Sequence, residues 1–137
     1  MNTELMDAQG LLEQRLDEMT PALPTQWPNA SFTRPASGGW QRVDHLALSV
    51  SGVTIAGQKW NERGSMQVLL CFPENTGRRA LFERAQLIRA QFPVGWSASV
   101  NSTRVLIVRP VAIGSAYSGD GWAQLPLTIG YLAEANL

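Results

Sequence analysis

The sequence predicts an α+β fold: a single domain, residues 1–137, in which two helices pack on a mixed, mostly antiparallel β-sheet of about four to six strands. Three observations carry this expectation. Residues 65–92, SMQVLLCFPENTGRRALFERAQLIRAQF, join the most apolar short run of the chain to its clearest amphipathic helix, with Pro73 and Asn75-Thr76-Gly77 between them. Alternating segments recur around that unit, at residues 40–50, 96–112 and 122–132. Finally, 137 residues of 45% hydrophobic content make one globular domain, which can bury roughly two thirds of its unfolded surface without a metal or disulfide staple.

The elements follow in order. In residues 3–19, Leu5, Leu12, Leu16 and Met19 fall on one side at helical spacing with Ala8 beside them, and the charged residues lie largely elsewhere. This is a surface helix with one buried stripe, ended by Thr20-Pro21 because the residue before proline is pushed out of the α region. Residues 20–39 form a connection rich in Pro, Ser, Thr and Gly. Loops this long inside a compact domain are unusual and often functional. Trp27 and Phe32 are expected to pin it to the body, with a short strand possible at Ser31–Thr33. Residues 40–50 alternate as a half-buried strand, and 51–64, with Gly52, Gly57 and Gly64, read as a loop or an extended hairpin tip, expected to be mobile.

In the central unit Met66, Val68, Leu70 and Phe72 face one way, and Leu69 and Cys71 make the other face apolar too, which marks an interior strand. The helix from about Gly77 to Phe92 aligns Leu81, Ala85, Ile88 and Phe92. Residues 96–100 and 104–112 read as a hairpin around Asn101-Ser102, and 114–121 as a mobile loop by composition. The last strand spans 122–132. Pro126 within it cannot donate to a ladder, so the strand should be an edge there or carry a bulge. The tail 133–137 is expected to fray.

Composition narrows the function. Eleven basic and eleven acidic residues give zero net charge, which argues against a dedicated or sequence-specific nucleic-acid binder. Ten of the eleven cations are Arg and there are five Trp, residue types typical of interface anchors, although a Trp equally caps a core. Cys71 is the only cysteine, so no disulfide framework or Cys-based zinc site arises. No signal peptide or membrane span is expected, which places the chain in the cytoplasm of the cell that makes it.

Chemistry is hard to find. His45 is the single histidine, and Asp44 beside it in a strand points to the opposite face, so it cannot orient His45 as a triad acid would. A hydrolase using Ser115 or Ser118 with Asp120 and His45 is the enzymatic alternative, but the GxSxG elbow and the phosphate-binding loops are absent. The expectation is therefore no catalytic residue, no cofactor and no metal. The residues suited to contact with another chain are Lys59, Trp60 and Arg63, then Tyr117 and Trp122. Arg78 and Arg79 join them, because the helix macrodipole disfavours cations in a first turn.

The order of features resembles a phage-related family of small tail proteins similar to the tail terminators of lambda-like phages. Three motif lines carry the resemblance: Trp27, Pro28, Asn29, Phe32, Pro35, Gly38, Trp40, Arg42 and Val43; Gly64, Gln67, Val68 and Pro73; and Asp120, Gly121, Trp122, Pro126, Leu127, Ile129 and Tyr131. The resemblance implies an α+β structural protein of a phage or prophage virion tail. It implies a hexameric ring that caps the head-proximal end of the tail tube, with the tube protein, a head-completion protein and further copies of itself as partners. Another tail- or head-completion role in the same particle is the alternative.

Overall fold

The computed structural model describes the backbone of residues 4–51 and 59–136, and the side chains of 5–46 and 61–135. The elements are α1 (Glu4–Asp17), β1 (Thr25–Gln26), β2 (Trp40–Ser51), β3 (Lys59–Pro73), α2 (Arg79–Gln91), β4 (Ser97–Val100), β5 (Thr103–Ile107), β6 (Ala112–Ile113), β7 (Tyr117–Gly119) and β8 (Trp122–Asn136). The sheet has eight strands in the order β1-β2-β3-β8-β5-β4, with β6 and β7 also paired to β8. Among the described residues only β1 and β2 pair in parallel. The α+β single domain with two helices is as the sequence predicts. The strand count is higher because β1, β6 and β7 are two or three residues long, too short to show a period.

The spine is the β3–β8 ladder, paired from Lys59↔Asn136 to Pro73↔Trp122. One face of it is covered. Met66, Val68 and Leu70 on β3 lie level with Ile129, Leu127 and Leu125 on β8, and all six are buried. Ala8, Leu12 and Leu16 of α1 and Leu81, Ala85 and Ile88 of α2 close over them, with Phe92 at the end of α2. Both apolar helix stripes read from the sequence are thus the buried ones. The helices are clamped to each other by reciprocal bonds: Arg15 Nε donates to the Gln91 carbonyl (3.0 Å) and Gln91 Nε2 to the Arg15 carbonyl (2.8 Å).

Two local expectations are revised and two are met. The proline-rich segment forms no strand at Ser31–Thr33. Instead β1 pairs with Gln41 and Arg42, fixed by the Gln41 amide on the Pro24 carbonyl (3.0 Å) and by Gln41 Nε2 on Thr25 Oγ1 (3.0 Å). Phe32 does pin the segment, stacking at 5.3 Å on Trp40. The 51–64 stretch takes the extended hairpin alternative, its second half being the first arm of β3 paired with β2 as far as Ser51↔Asn61, and residues 52–58 lie outside the described ones. The tail does not fray at residue 133, because Ala133 and Ala135 are buried between β3 and β5. Finally, Pro126 is locally an edge position, as the sequence expects: β3 pairs with β8 throughout, but on the other side β7, β6 and β5 pair only residues 122–124, 127–128 and 131–135. Its carbonyl accepts from Gly114 N at 2.8 Å, so its nitrogen faces the same side, between the short strands β6 and β7. The missing donor falls where no ladder bond is needed.

Glu62 is the misfit of the covered face, only 6% exposed. Burial raises its carboxyl above the usual 4.5. A raised folded pKa means that the fold tolerates the neutral acid better than the anion. Glu62 therefore weakens the fold at neutral pH, and the handicap fades as pH falls through the folded value to the unfolded one. Glu62→Gln is expected to melt higher than the wild type at neutral pH. Thermal unfolding below the carboxylate range should show the two converging.

Candidate functional site

The face of the sheet away from the helices is polar and partly open. Its side chains alternate with the buried ones: Arg42, Asp44, Gln67 and Arg104 are exposed, and Glu134 is half-exposed. Two ion pairs cross it, Arg42 Nε to Asp44 Oδ2 and Arg104 Nη1 to Glu134 Oε1, both 3.0 Å. Such pairs near the surface contribute about 0–1 kcal/mol, so they set charge pattern more than stability. One end of this face is closed by an aromatic cluster. Trp122 meets Trp40 edge-on at 5.9 Å and 88°, and Arg34 lies over Trp40 at 5.2 Å. The cluster lies level with Cys71, which is 2% exposed. Burial pushes its thiol up to about 11, against the opposing pull of Arg34 and Arg42. A buried thiol held in its protonated form is a poor nucleophile.

The candidate contact residues do not form one patch. They divide between the two ends of the β3–β8 ladder. At one end are Lys59 and Trp60, whose side chains lie outside the described residues, and Arg63, which is exposed on the open face. At the other are Arg78, Arg79, Tyr117 and Trp122. There the turn after β3 touches the turn before β8, with Glu74 N donating to the Gly121 carbonyl (3.1 Å). Along β3 the span between the ends, about 3.3 Å per residue over fourteen steps, is roughly 46 Å.

Arg78 and Arg79 are fully displayed. Arg78 is the N-cap of α2, without a side-chain capping bond, and the first turn carries no acid. Arg79 Nε reaches Glu83 Oε1 one turn on, at 2.8 Å. With Phe82, Gln86 and Leu87 they border an open groove of about 790 Å3, and Leu87 is 46% exposed. Tyr117 is 52% exposed. It lines a smaller recess of about 220 Å3 on the open face with Arg42, Asp44 and Gln67. Other arginines work inside the fold: Arg89 donates twice to the Val111 carbonyl, and Arg84 reaches the Pro21 carbonyl. Desolvation lowers the pKa of Arg84, whose Nε and Nη2 are buried without a partner.

Sequence reasoning missed one polar contact. His45 Nε2 meets Glu13 Oε2 of α1 at 2.6 Å, with the histidine side chain 7% exposed. The pair ties β2 to α1 on the covered face, whereas Ser118 and Asp120 belong to the β7 hairpin beside β8. The serine, histidine and aspartate of the hydrolase alternative are therefore not assembled. Among the described residues no group of three or more His, Cys, Asp or Glu is placed to hold a metal, and no helix is long and apolar enough to cross a membrane.

Comparison with known proteins sets the class: the chain is a phage tail structural protein. The comparison that establishes this is a family model, described as phage tail terminator protein, that matches residues 7–131. The chain belongs to the phage tail terminator protein family. A solved structure has the same fold at a TM-score of 0.75 and 28% identity, covering 97% of this chain and 96% of that one. No curated protein matches the chain.

Proposed function

We propose that this chain caps the head-proximal end of a phage or prophage tail tube as a hexameric ring, stopping tube growth and offering the head its docking surface. The observation that carries the reading is the family match, which spans almost the whole domain. The division of the candidate contact residues between the two ends of the ladder, roughly 46 Å apart along β3, supports it, since such a ring must meet the tube on one side and the head on the other. The tube protein, a head-completion protein and neighbouring copies are then the partners, and the virion tail is the place of action.

Deleting the protein is the direct test. Electron microscopy is expected to show over-long tails that fail to join heads. Tails of normal length that still join heads would overturn the reading, and normal-length tails without heads would favour a different completion role. A narrower prediction concerns α2. Arg78→Glu with Arg79→Glu is expected to leave the fold intact and the melting temperature no lower than about 2 °C below the wild type, because the gain from acids at the helix start offsets the lost Arg79–Glu83 pair. It should cut tube capping at least tenfold in a tail-length assay. Unchanged capping would remove this helix start from the contact surface.

A further inference from the structure

The sheet ends in two unused edges. On one side β4, Ser97–Val100, pairs only with β5. On the other, β1 covers β2 only at Gln41 and Arg42. Beyond Arg42, no described residue pairs with the outer edge of β2. An edge strand presents a row of unmatched N–H and C=O groups, and natural sheets usually blunt such rows with lysine, proline or a covering segment. The β4 strand carries no lysine or proline, and no described residue pairs with its outer edge. Its sequence is Ser-Ala-Ser-Val, small and uncharged, with Ser97, Ser99 and Val100 exposed. The β2 edge is also approachable. Where the chain leaves β1, residues 26–31 stand off from Arg42, Val43 and Asp44, leaving a groove of about 350 Å3 alongside the strand. Leu46, further along the same strand, is 48% exposed.

The directions of the two edges match. Each neighbour from β2 through β3, β8 and β5 to β4 is antiparallel, so four reversals leave β2 and β4 pointing the same way. Two copies related by rotation about an axis running along the strands therefore bring β4 of one beside β2 of the next in parallel. That contact is heterologous, one edge against a different one, and repeats until a ring closes. Closure satisfies every edge at once, as it does in a barrel, where tilt and stagger of the strands take up the mismatch in height.

We infer that neighbouring copies are joined by β-pairing: β4 of one subunit adds in parallel to the outer edge of β2 of the next, so that the sheets form one continuous β-wall around the ring. This rests on the ring reading above and specifies its subunit contact. Main-chain bonds supply the attraction, and the groove beside Val43 and Asp44 supplies the fit, as in other strand-addition complexes.

The test uses the full chain added to purified tail tubes, with rings counted by electron microscopy. Ser97→Lys with Ser99→Lys places two charges on the β4 edge. It is expected to keep the wild-type melting temperature and circular dichroism while reducing rings at least tenfold, whereas Ser102→Lys in the adjoining turn keeps them. A photo-reactive phenylalanine analogue at Ser99 should cross-link to β2 of a second copy, located by mass spectrometry. Rings that persist at wild-type yield in the lysine variant overturn the edge pairing and leave the ring reading intact. So do cross-links to the tube protein or to another part of the subunit. If the unaltered chain forms no ring on tubes, both readings fall.

Discussion

Phe92→Ala is expected to destabilise the domain by about 3–5 kcal/mol, the range for emptying a buried aromatic site. Phe92 has no exposed surface. It ends α2 with its amide on the Ile88 carbonyl at 3.2 Å, and its ring meets Trp96 edge-on at 5.9 Å and 81°. Trp96 in turn carries Arg15 of α1 at 5.1 Å over its ring. One side chain therefore holds the end of α2, the start of the β4–β5 hairpin and the flank of α1. Its removal leaves a cavity at their junction and takes the edge partner from Trp96, worth about 0.5–1.5 kcal/mol beyond area. For a domain of this size the melting temperature should fall by roughly 10–15 °C. The denaturant midpoint should fall with its slope unchanged. Phe92→Leu should recover more than half of the loss, and an alanine variant melting within about 3 °C of the wild type would contradict the account.

Phe92 also illustrates what was legible in the sequence. Its place on the line Leu81, Ala85, Ile88 comes from helical spacing alone, and all three are buried as that spacing requires. The long strands were legible in part: β8 alternates over enough residues to show a period of two, and residues 66–72 of β3 are apolar on both faces as an interior strand is. What escaped is short or non-local. β6 and β7 offer no period, although Asp120-Gly121, both at positive φ, carry the Asp-Gly signature of a two-residue hairpin turn. That dipeptide could have placed β7 within a stretch whose composition reads as loop. The Ala133–Ala135 extension of β8 is apolar at alternate positions, but alanine is a weak strand former, so the signal is faint.

The surface was less legible than the core. Arg and Trp suit interfaces, yet Arg84 and Arg89 are spent on backbone carbonyls and Trp40 is buried. Residue type does not distinguish these from Arg78 and Arg79; position does. Internal arginines sit on or beside the apolar stripe of α2, whereas the exposed pair sits at its start, against the macrodipole. His45 and Glu13 lie 32 residues apart, and only the packing of α1 on the sheet brings them together. No local pattern encodes such a contact. The free edges of β2 and β4 were likewise invisible, because an edge is a property of strand order.

Gly64→Val is expected to be the most damaging single change on the β3–β8 ladder. Gly64 stands between Ala47 on β2 and Tyr131 on β8. A Cβ built there would lie 2.7 Å from the Tyr131 hydroxyl oxygen, 2.8 Å from its Cζ and 3.2 Å from the Leu46 carbonyl oxygen. Two of these obstacles cannot retreat. The carbonyl belongs to the neighbouring strand, and Tyr131, at 1% exposure, is walled in beside Ile107. Overpacking of this kind costs about 1–3 kcal/mol for small additions. Gly64→Ala should fall near the top of that range, and valine, with two further methyls, beyond it. Gly130 is the internal control. A Cβ there would strike the Arg109 guanidinium, the far end of an exposed side chain that can swing into solvent. Gly130→Ala should therefore cost under about 1 kcal/mol, since small shifts of a flexible surface group are cheap. A double-mutant cycle separates the causes. If Tyr131 is the obstacle, Gly64→Ala made together with Tyr131→Leu should be less damaging than the sum of the two by about 0.5–3 kcal/mol. Strict additivity in chemical denaturation would shift the blame to the Leu46 carbonyl and the β2–β3 spacing.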